Sequence, residues 1–331
     1  VRSRVWREGA EVTSDFPLES LDGWLAEPGA TVWLDLLLAG PEDTGDGVLD
    51  QLAEELALDP LAVEDVREPH ERPKATWHPN HLFFTSYALS TDAGPDGIRL
   101  GQWQVSGFVL ANALVTIRTA DHGEFEEVLS RAAADGHLAE GVGGLVHALL
   151  DTLVDDHFAA IQSLDDELEK LEDLLFDSSG GSREVLQGVF ALRKALVRLR
   201  RVVLPMREVV GSLMRYRSER RHESLASLGG QFDDLYDHVI RAAEWTESLR
   251  DLVGSIVETN LSLQDARLNE VMKKLAGWAA IISVPTAVTG WFGQNLPYPG
   301  FEAVSGLVQS AVLILVGTVG LYLLFRRIDW I

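Results

Sequence analysis

A run of 23 consecutive positions, Ala303 to Phe325, carries no Asp, Glu, Lys or Arg. No other feature of the chain constrains its fold so strongly. A hydrocarbon layer needs about 20 apolar residues in helical form, so this segment reads as a transmembrane helix. A second uncharged run, Leu275 to Phe292, covers 18 positions. It is short for a span, but it continues a helical pattern that starts far upstream. Lys273 and Lys274 precede this run, and Arg326 and Arg327 follow the other. The positive-inside rule places both flanks in the cytoplasm. The link from Gly293 to Glu302 then faces outward, giving a hairpin with both termini inside.

Charge divides the chain at the same place. Residues 1–270 hold 24 bases and 49 acids, a balance of −25, whereas residues 271–331 hold 4 and 2, a balance of +2. A strongly acidic surface repels nucleic-acid phosphates and anionic lipid and attracts cations, so divalent cations are expected partners and nucleic acid is not, while the uncharged runs make the lipid bilayer a further partner. Acidic surfaces also simply keep a domain soluble, and composition leaves both roles open. Cysteine is absent, which removes disulfides and thiolate metal sites. Val1 to Leu18 is charged throughout, so no cleavable signal peptide is expected.

Periodicity orders what precedes the membrane segments. Residues 1–146 read as an α/β domain. Thr31 to Leu38 and His81 to Leu89 are strand-like. Trp103 to Arg118 reads as two strands with a turn at Ala111-Asn112, and Pro95-Asp96-Gly97 marks a hairpin. Val48 to Leu58 has helical spacing. A mixed sheet with helices packed on it is the natural solution. Residues 147–274 read as a stalk of long helices. Leu149, Leu153, Ile161, Leu164, Leu168, Leu171 and Leu175 carry the first, and Asp177 to Ser182 breaks it. A second helix runs from about Arg183 to Arg221 with a kink at Pro205. After a break at Leu225 to Gly230, a third starts near Gln231 and spans roughly 60 residues, or ~90 Å. The first transmembrane span (275–292), external loop (293–302), second span (303–325) and cytoplasmic tail (326–331) follow.

Along the helix that holds the first span, Asn269, Ala276, Ser283 and Gly290 lie seven apart, as do Met272, Ala279, Thr286 and Gly293. A seven-residue repeat keeps one face toward a common axis in a left-handed bundle. Small residues also mark close packing between membrane helices. Spacing alone leaves a pore lining and a packing seam equally open. No Asp, Glu or His lies in this span. His157 and His238 are isolated, and His78 and His81 read as ordinary polar residues. Ala139 to Gly144 is glycine-rich but lacks the lysine of a phosphate-binding loop. No nucleophile, base and orienting partner assemble at recognisable spacing, so an enzyme is not expected.

Four stretches carry a resemblance. Asn269 to Leu275 (NEVMKKL), Pro285 to Asn295 (PTAVTGWFGQN) and Arg326 to Ile331 (RRIDWI) closely resemble the CorA-type magnesium and cobalt transporter family. Leu58 to Asp65 (LDPLAVED), followed by Arg72-Pro73-Lys74, resembles that family's cytoplasmic domain. The resemblance implies a funnel-shaped homopentamer in the inner or plasma membrane, with the first span lining the pore. It implies Mg2+ as transported and regulatory ion, with Co2+ or Ni2+ as further cargo. The family's outer-mouth signature is Gly-Met-Asn, and here the triplet is Gly293-Gln294-Asn295. That departure leaves the order of preference among magnesium, cobalt, nickel and zinc open. By position, the family's pore-facing residues fall on Asn269, Met272, Leu275, Ser283, Thr286 and Asn295. Its regulatory metal site falls on Asp234, within the cluster Asp233, Asp234 and Asp237. The competing readings are a transporter of zinc or another divalent metal, and a non-conducting membrane-anchored sensor or scaffold.

Overall fold

The computed structural model describes residues 1–38, 47–68, 71–94, 97–121, 124–176, 182–218, 229–294, 297–301 and 303–331. The chain divides into two compact units, Val1–Ser255 and Ile256–Ile331. In chain order the elements are β1 (Arg2–Arg7), β2 (Ala10–Ser14), α1 (Leu21–Ala26), β3 (Ala30–Leu37), α2 (Val48–Glu55), α3 (Pro60–Arg67) and β4 (Lys74–Trp77). Strands β5 (Leu82–Gly94), β6 (Gly97–Val109) and β7 (Ala113–Arg118) follow. The remaining helices are α4 (Glu124–Ala134), α5 (Val142–Phe176), α6 (Ser182–Val203), α7 (Met206–Ser218), α8 (Gly229–Phe292) and α9 (Val304–Arg327).

Alternation along the strands builds the first unit. On β3, Val32, Leu34 and Leu36 point to one face of the sheet, where α1, α2 and α3 cover them with Leu21, Leu49, Leu52 and Val66. Trp33 points to the other face, and α4, α5, α7 and the start of α8 close over it with Phe125, Leu149, Met206 and Phe232. Both faces are therefore buried, which explains why β3 and β7 read as near-continuous apolar runs. The seven strands lie in the order β2-β1-β3-β7-β6-β5-β4. Only β3 and β7 run parallel; the other pairs are antiparallel. This is the mixed sheet of an α/β domain. The expected Pro95-Asp96 turn lies outside the described residues, but Gly94 and Gly97 face each other across β5 and β6 there. Gly97 has φ +99°, and a Cβ on it would lie 2.8 Å from the Ala191 Cβ of α6. Only glycine allows that backbone and that approach.

Three strands lack a sequence signal, β1, β2 and β4. In β1, Val5 and Trp6 are buried among arginines. The arginines find partners only in the folded sheet. Arg2 pairs with Asp121 at 2.9 Å and Arg4 with Glu11 at 3.1 Å. Both guanidinium groups lie within 6 Å of the Phe125 ring centre, at 5.3 and 5.9 Å. The long stems thus cover an aromatic surface while their charges stay near water.

A buried ion pair stitches the parallel strands together. Arg118 on β7 donates to both Asp35 carboxylate oxygens, at 2.9 and 2.6 Å. Thr116 donates to the same carboxylate at 2.7 Å, and the Trp33 indole donates to Thr116 at 3.0 Å. Burial opposes the guanidinium charge, but the hydrogen bonds and attraction of Asp35 outweigh it and hold Arg118 above its ordinary range.

The helical region corrects one expectation. The single kinked helix predicted from Arg183 to Arg221 is two helices, α6 and α7, separated at Leu204-Pro205. Proline has no N–H to donate and its ring clashes with the preceding turn, so the ladder stops. Its carbonyl then accepts from Glu208 N at 2.8 Å and starts α7. The predicted breaks at 177–182 and 225–230 lie largely outside the described residues. The third helix, α8, runs for 64 residues and continues through Pro285.

Candidate functional site

Unit 2 contains the membrane-facing part of α8 and all of α9, and these two helices are long and apolar enough to cross a membrane. Leu307, Leu315, Val316 and Leu323 on α9 remain 57–71 % exposed. Aliphatic side chains left bare over a whole helix belong in lipid or against further protein. The two helices meet along one seam. A Cβ on Gly277 would lie 3.1 Å from Ile331 and 3.7 Å from Phe325. Trp278 and Tyr322 pack with ring centres 6.5 Å apart. One on Gly317 would lie 2.9 Å from a Val284 methyl. Buried Ile281 completes the α8 side of the contact.

This seam is a different face from the one the seven-residue spacing singles out. Asn269, Ala276, Ala279, Ser283, Thr286 and Gly290 are all exposed, and Met272 and Leu275 keep 61 % and 63 % of their surface. Within the protomer, then, α9 does not use the small, weakly polar face. The hydroxyls on that side donate to their own helix: Ser283 to the Ala280 carbonyl at 2.7 Å, Thr286 to Ile282 at 3.3 Å and Thr289 to Pro285 at 2.8 Å. Donors are satisfied locally while the oxygen lone pairs stay outward, a chemistry suited to water or a hydrated cation. Thr289 extends the hydroxyl ladder one turn nearer the loop. It escaped the seven-residue spacing because it stands between the two repeats.

At the C-terminal end of α8, Gly293 N donates to the Thr289 carbonyl at 2.8 Å and Gln294 N to the Trp291 carbonyl at 3.3 Å. A Cβ on Gly293 would stand 2.9 Å from that Thr289 oxygen, so glycine ends the helix here. Gln294 is exposed. Asn295 lies outside the described residues. Past it, Tyr298 packs edge-on against Phe292 and Phe301, with ring centres at 5.0 and 5.4 Å. Aromatic rings of this kind favour the boundary between lipid and water. At the other end, Lys274 pairs with Glu270 at 2.7 Å, and that hydrogen bond lowers the Glu270 pKa.

In unit 1, Asp233, Asp234 and Asp237 are exposed on the first turns of α8. The Asp234 side chain is 73 % exposed, with His238 Nε2 at 3.7 Å. Among the described residues, no three His, Asp or Glu side chains of one protomer converge into a metal site. The histidines resolve differently from one another. His157 is fully buried, its Nε2 against the Tyr87 carbonyl at 2.9 Å, and burial pushes it down to about 4. His78 sits 3.1 Å from Asp59 and stacks on His81 at 4.8 Å. Burial, and then the neighbouring His78, lowers His81 to about 4. Neither buried imidazole has any signal in the sequence.

Comparison with known proteins accords with this layout. Residues 29–327 match the family described as CorA-like Mg2+ transporter protein. The cobalt/magnesium transport protein CorA of Thermotoga maritima is 29 % identical over 253 residues, covering 76 % of this chain and 70 % of that one. The protein of the same name from Methanocaldococcus jannaschii is 28 % identical over 235 residues, 68 % of this chain and 70 % of its own. The solved complete structure of the CorA magnesium transporter from Methanocaldococcus jannaschii superposes with a TM-score of 0.74 at 21 % identity, covering 100 % of this chain and 99 % of the other. The chain belongs to the CorA-like Mg2+ transporter family.

Proposed function

We propose that the chain is one subunit of a homopentameric divalent-cation channel that admits Mg2+, with Co2+ or Ni2+ as further cargo. One observation carries this reading. The helix that crosses the membrane presents Asn269, Ser283 and Thr286 on a face that α9 leaves uncovered. Copies arranged around an axis would turn that face inward and keep α9 toward lipid. The outer loop and both lysines and arginines then set the hairpin with its termini in the cytoplasm.

The proposed chemistry follows from the donor set. Mg2+ sheds its water reluctantly, and the span offers neutral oxygens and no carboxylate. A ring of Asn295 amides at the mouth would hydrogen-bond a hydrated ion without stripping it, weakly enough for release. Met272 and Leu275 would form apolar collars that gate by losing water. A negative-inside potential supplies roughly 2.3 kcal/mol per charge per 100 mV, so about 4.6 for a divalent ion. Asp233, Asp234 and Asp237 would sense metal between subunits, since exposed carboxylates facing each other repel until a cation joins them.

Reconstitution in liposomes with an imposed potential tests the reading. Mg2+ enters with wild type, and Asn295→Ala abolishes entry while the oligomer persists. Wild-type vesicles that bind Mg2+ but pass none would establish a sensor or scaffold instead. Entry of Zn2+ in preference to Mg2+ would make the chain a zinc transporter.

A further inference from the structure

Unit 1 carries a basic groove that contains none of the residues assigned above to conduction or metal sensing. Two adjoining cavities, about 940 and about 770 Å3, share Leu100 and Arg198 and lie between α6 and β6. One stripe of α6 runs through both. Lys194, Arg198 and Arg201 stand at i, i+4 and i+7, a line of roughly 10 Å at 1.5 Å per residue. Arg72 adds a further cation from the opposite wall.

The charge balance of the groove is unusual for this chain, whose net charge is −23. Several cations elsewhere in the unit find carboxylates: Arg131 holds Asp151 and Asp155, and Arg200, also on α6, holds Glu247. In the groove, among the described residues, Arg72, Lys194, Arg198 and Arg201 form no ion pair. The two carboxylates that line it are already engaged by lysines outside it, Glu167 by Lys170 and Glu71 by Lys74. Neighbouring cations on this stripe stand closer than the screening length of about 8 Å at physiological salt, so they repel one another until an anion joins them. An acidic protein of this size has abundant carboxylates to relieve that repulsion, yet among the described residues none pairs with these four cations.

The wall also offers an aromatic face. Phe190, one turn before Lys194, lines the first cavity and is 66 % exposed. Exposed phenylalanine gains nothing in water, but a planar heterocycle stacks on it favourably. A row of cations matched to successive phosphates, with an aromatic platform at one end, is the donor set of a nucleotide site. We propose that this groove binds a nucleoside triphosphate, its phosphates along Lys194, Arg198 and Arg201 and its base on Phe190.

The test uses the full chain in detergent, in metal-free buffer so that no cation competes for the phosphates. Fluorescently labelled ATP is the probe, read by anisotropy, with AMP and inorganic tripolyphosphate as competitors. ATP binds saturably and more tightly than AMP, and added salt weakens it. Lys194→Glu with Arg198→Glu weakens ATP at least tenfold, and Arg201→Gln weakens it by less with the fold intact by circular dichroism. Phe190→Ala weakens ATP by about tenfold, the scale of one stacked base, and leaves tripolyphosphate unchanged. Absence of saturable binding, or equal affinity in the charge-reversed variant, overturns the site. Tripolyphosphate binding as tightly as ATP, with Phe190→Ala silent, overturns the nucleotide assignment. Binding seen only to vesicles of anionic lipid overturns it in favour of a membrane surface.

Discussion

Replacing Arg118 with methionine isolates the energetics of the sheet that positions the first unit. Methionine keeps the unbranched apolar stem of arginine but removes its charge and donors. The side chains of Arg118 and Asp35 are 3 % and 2 % exposed, so the substitution strands a carboxylate away from water. Thr116 still donates to it at 2.7 Å, but one neutral donor does not replace a bidentate guanidinium. Breaking a buried pair by removing one partner costs about 3–5 kcal/mol, set against a total stability of about 5–15 kcal/mol. Arg118→Met is therefore expected to lose a large share of the unit's stability. The double variant Asp35→Leu with Arg118→Met leaves no stranded charge and recovers most of that loss. The measurement is urea-dependent proteolysis of the detergent-solubilised chain, with hydrogen exchange at β3 and β7 to locate the opening. Both arms are informative, because a merely steric effect would worsen in the double variant. A loss below about 1 kcal/mol, the value of a solvent-exposed pair, would refute the reasoning.

Three further outcomes are expected. His157 is held near pKa 4 in the fold against 6.5 for the free side chain; the unfolded chain therefore binds the proton first, and stability falls by about 3 kcal/mol as pH drops from 6.5 to 4. Urea titrations across that window should show the slope, and His157→Gln should flatten part of it, with His81 supplying a similar share. Gly317→Leu drives a side chain into Val284 and should lower the thermal stability of the hairpin by about 1–3 kcal/mol, whereas Ser283→Ala with Thr286→Ala should alter flux at unchanged stability; the reverse pattern would make the polar face the packing seam. Gln294→Met should preserve uptake and change the ranking of magnesium, cobalt and nickel in liposome assays, and loss of all uptake would show that the loop depends on Gln294 for its shape.

Much of the architecture was decided locally and so was legible in the sequence. Uncharged runs at 275–292 and 303–325 suit lipid, which offers no partner for a charge or a bare backbone group. The long apolar repeats of α5 and α8 and the apolar runs of β3, β5 and β7 declare themselves through period. Pro205 announced an interruption, although only the packed chain made it a full break between α6 and α7. What depended on distant partners was not legible. Strand β1 is a row of arginines until Asp121, Glu11 and Phe125 stand beside it. Asp35 and Arg118 are 83 positions apart and become one group only when β3 and β7 run parallel. His157 is an isolated polar residue in the sequence and a fully buried one in the fold. The same holds at the membrane. Spacing found the small polar face of α8, but it could not say which face α9 would take. Tertiary structure decided that, because Gly277, Ile281 and Val284 fit the residues of α9 and its tail, and helices in lipid associate wherever their surfaces interlock most closely.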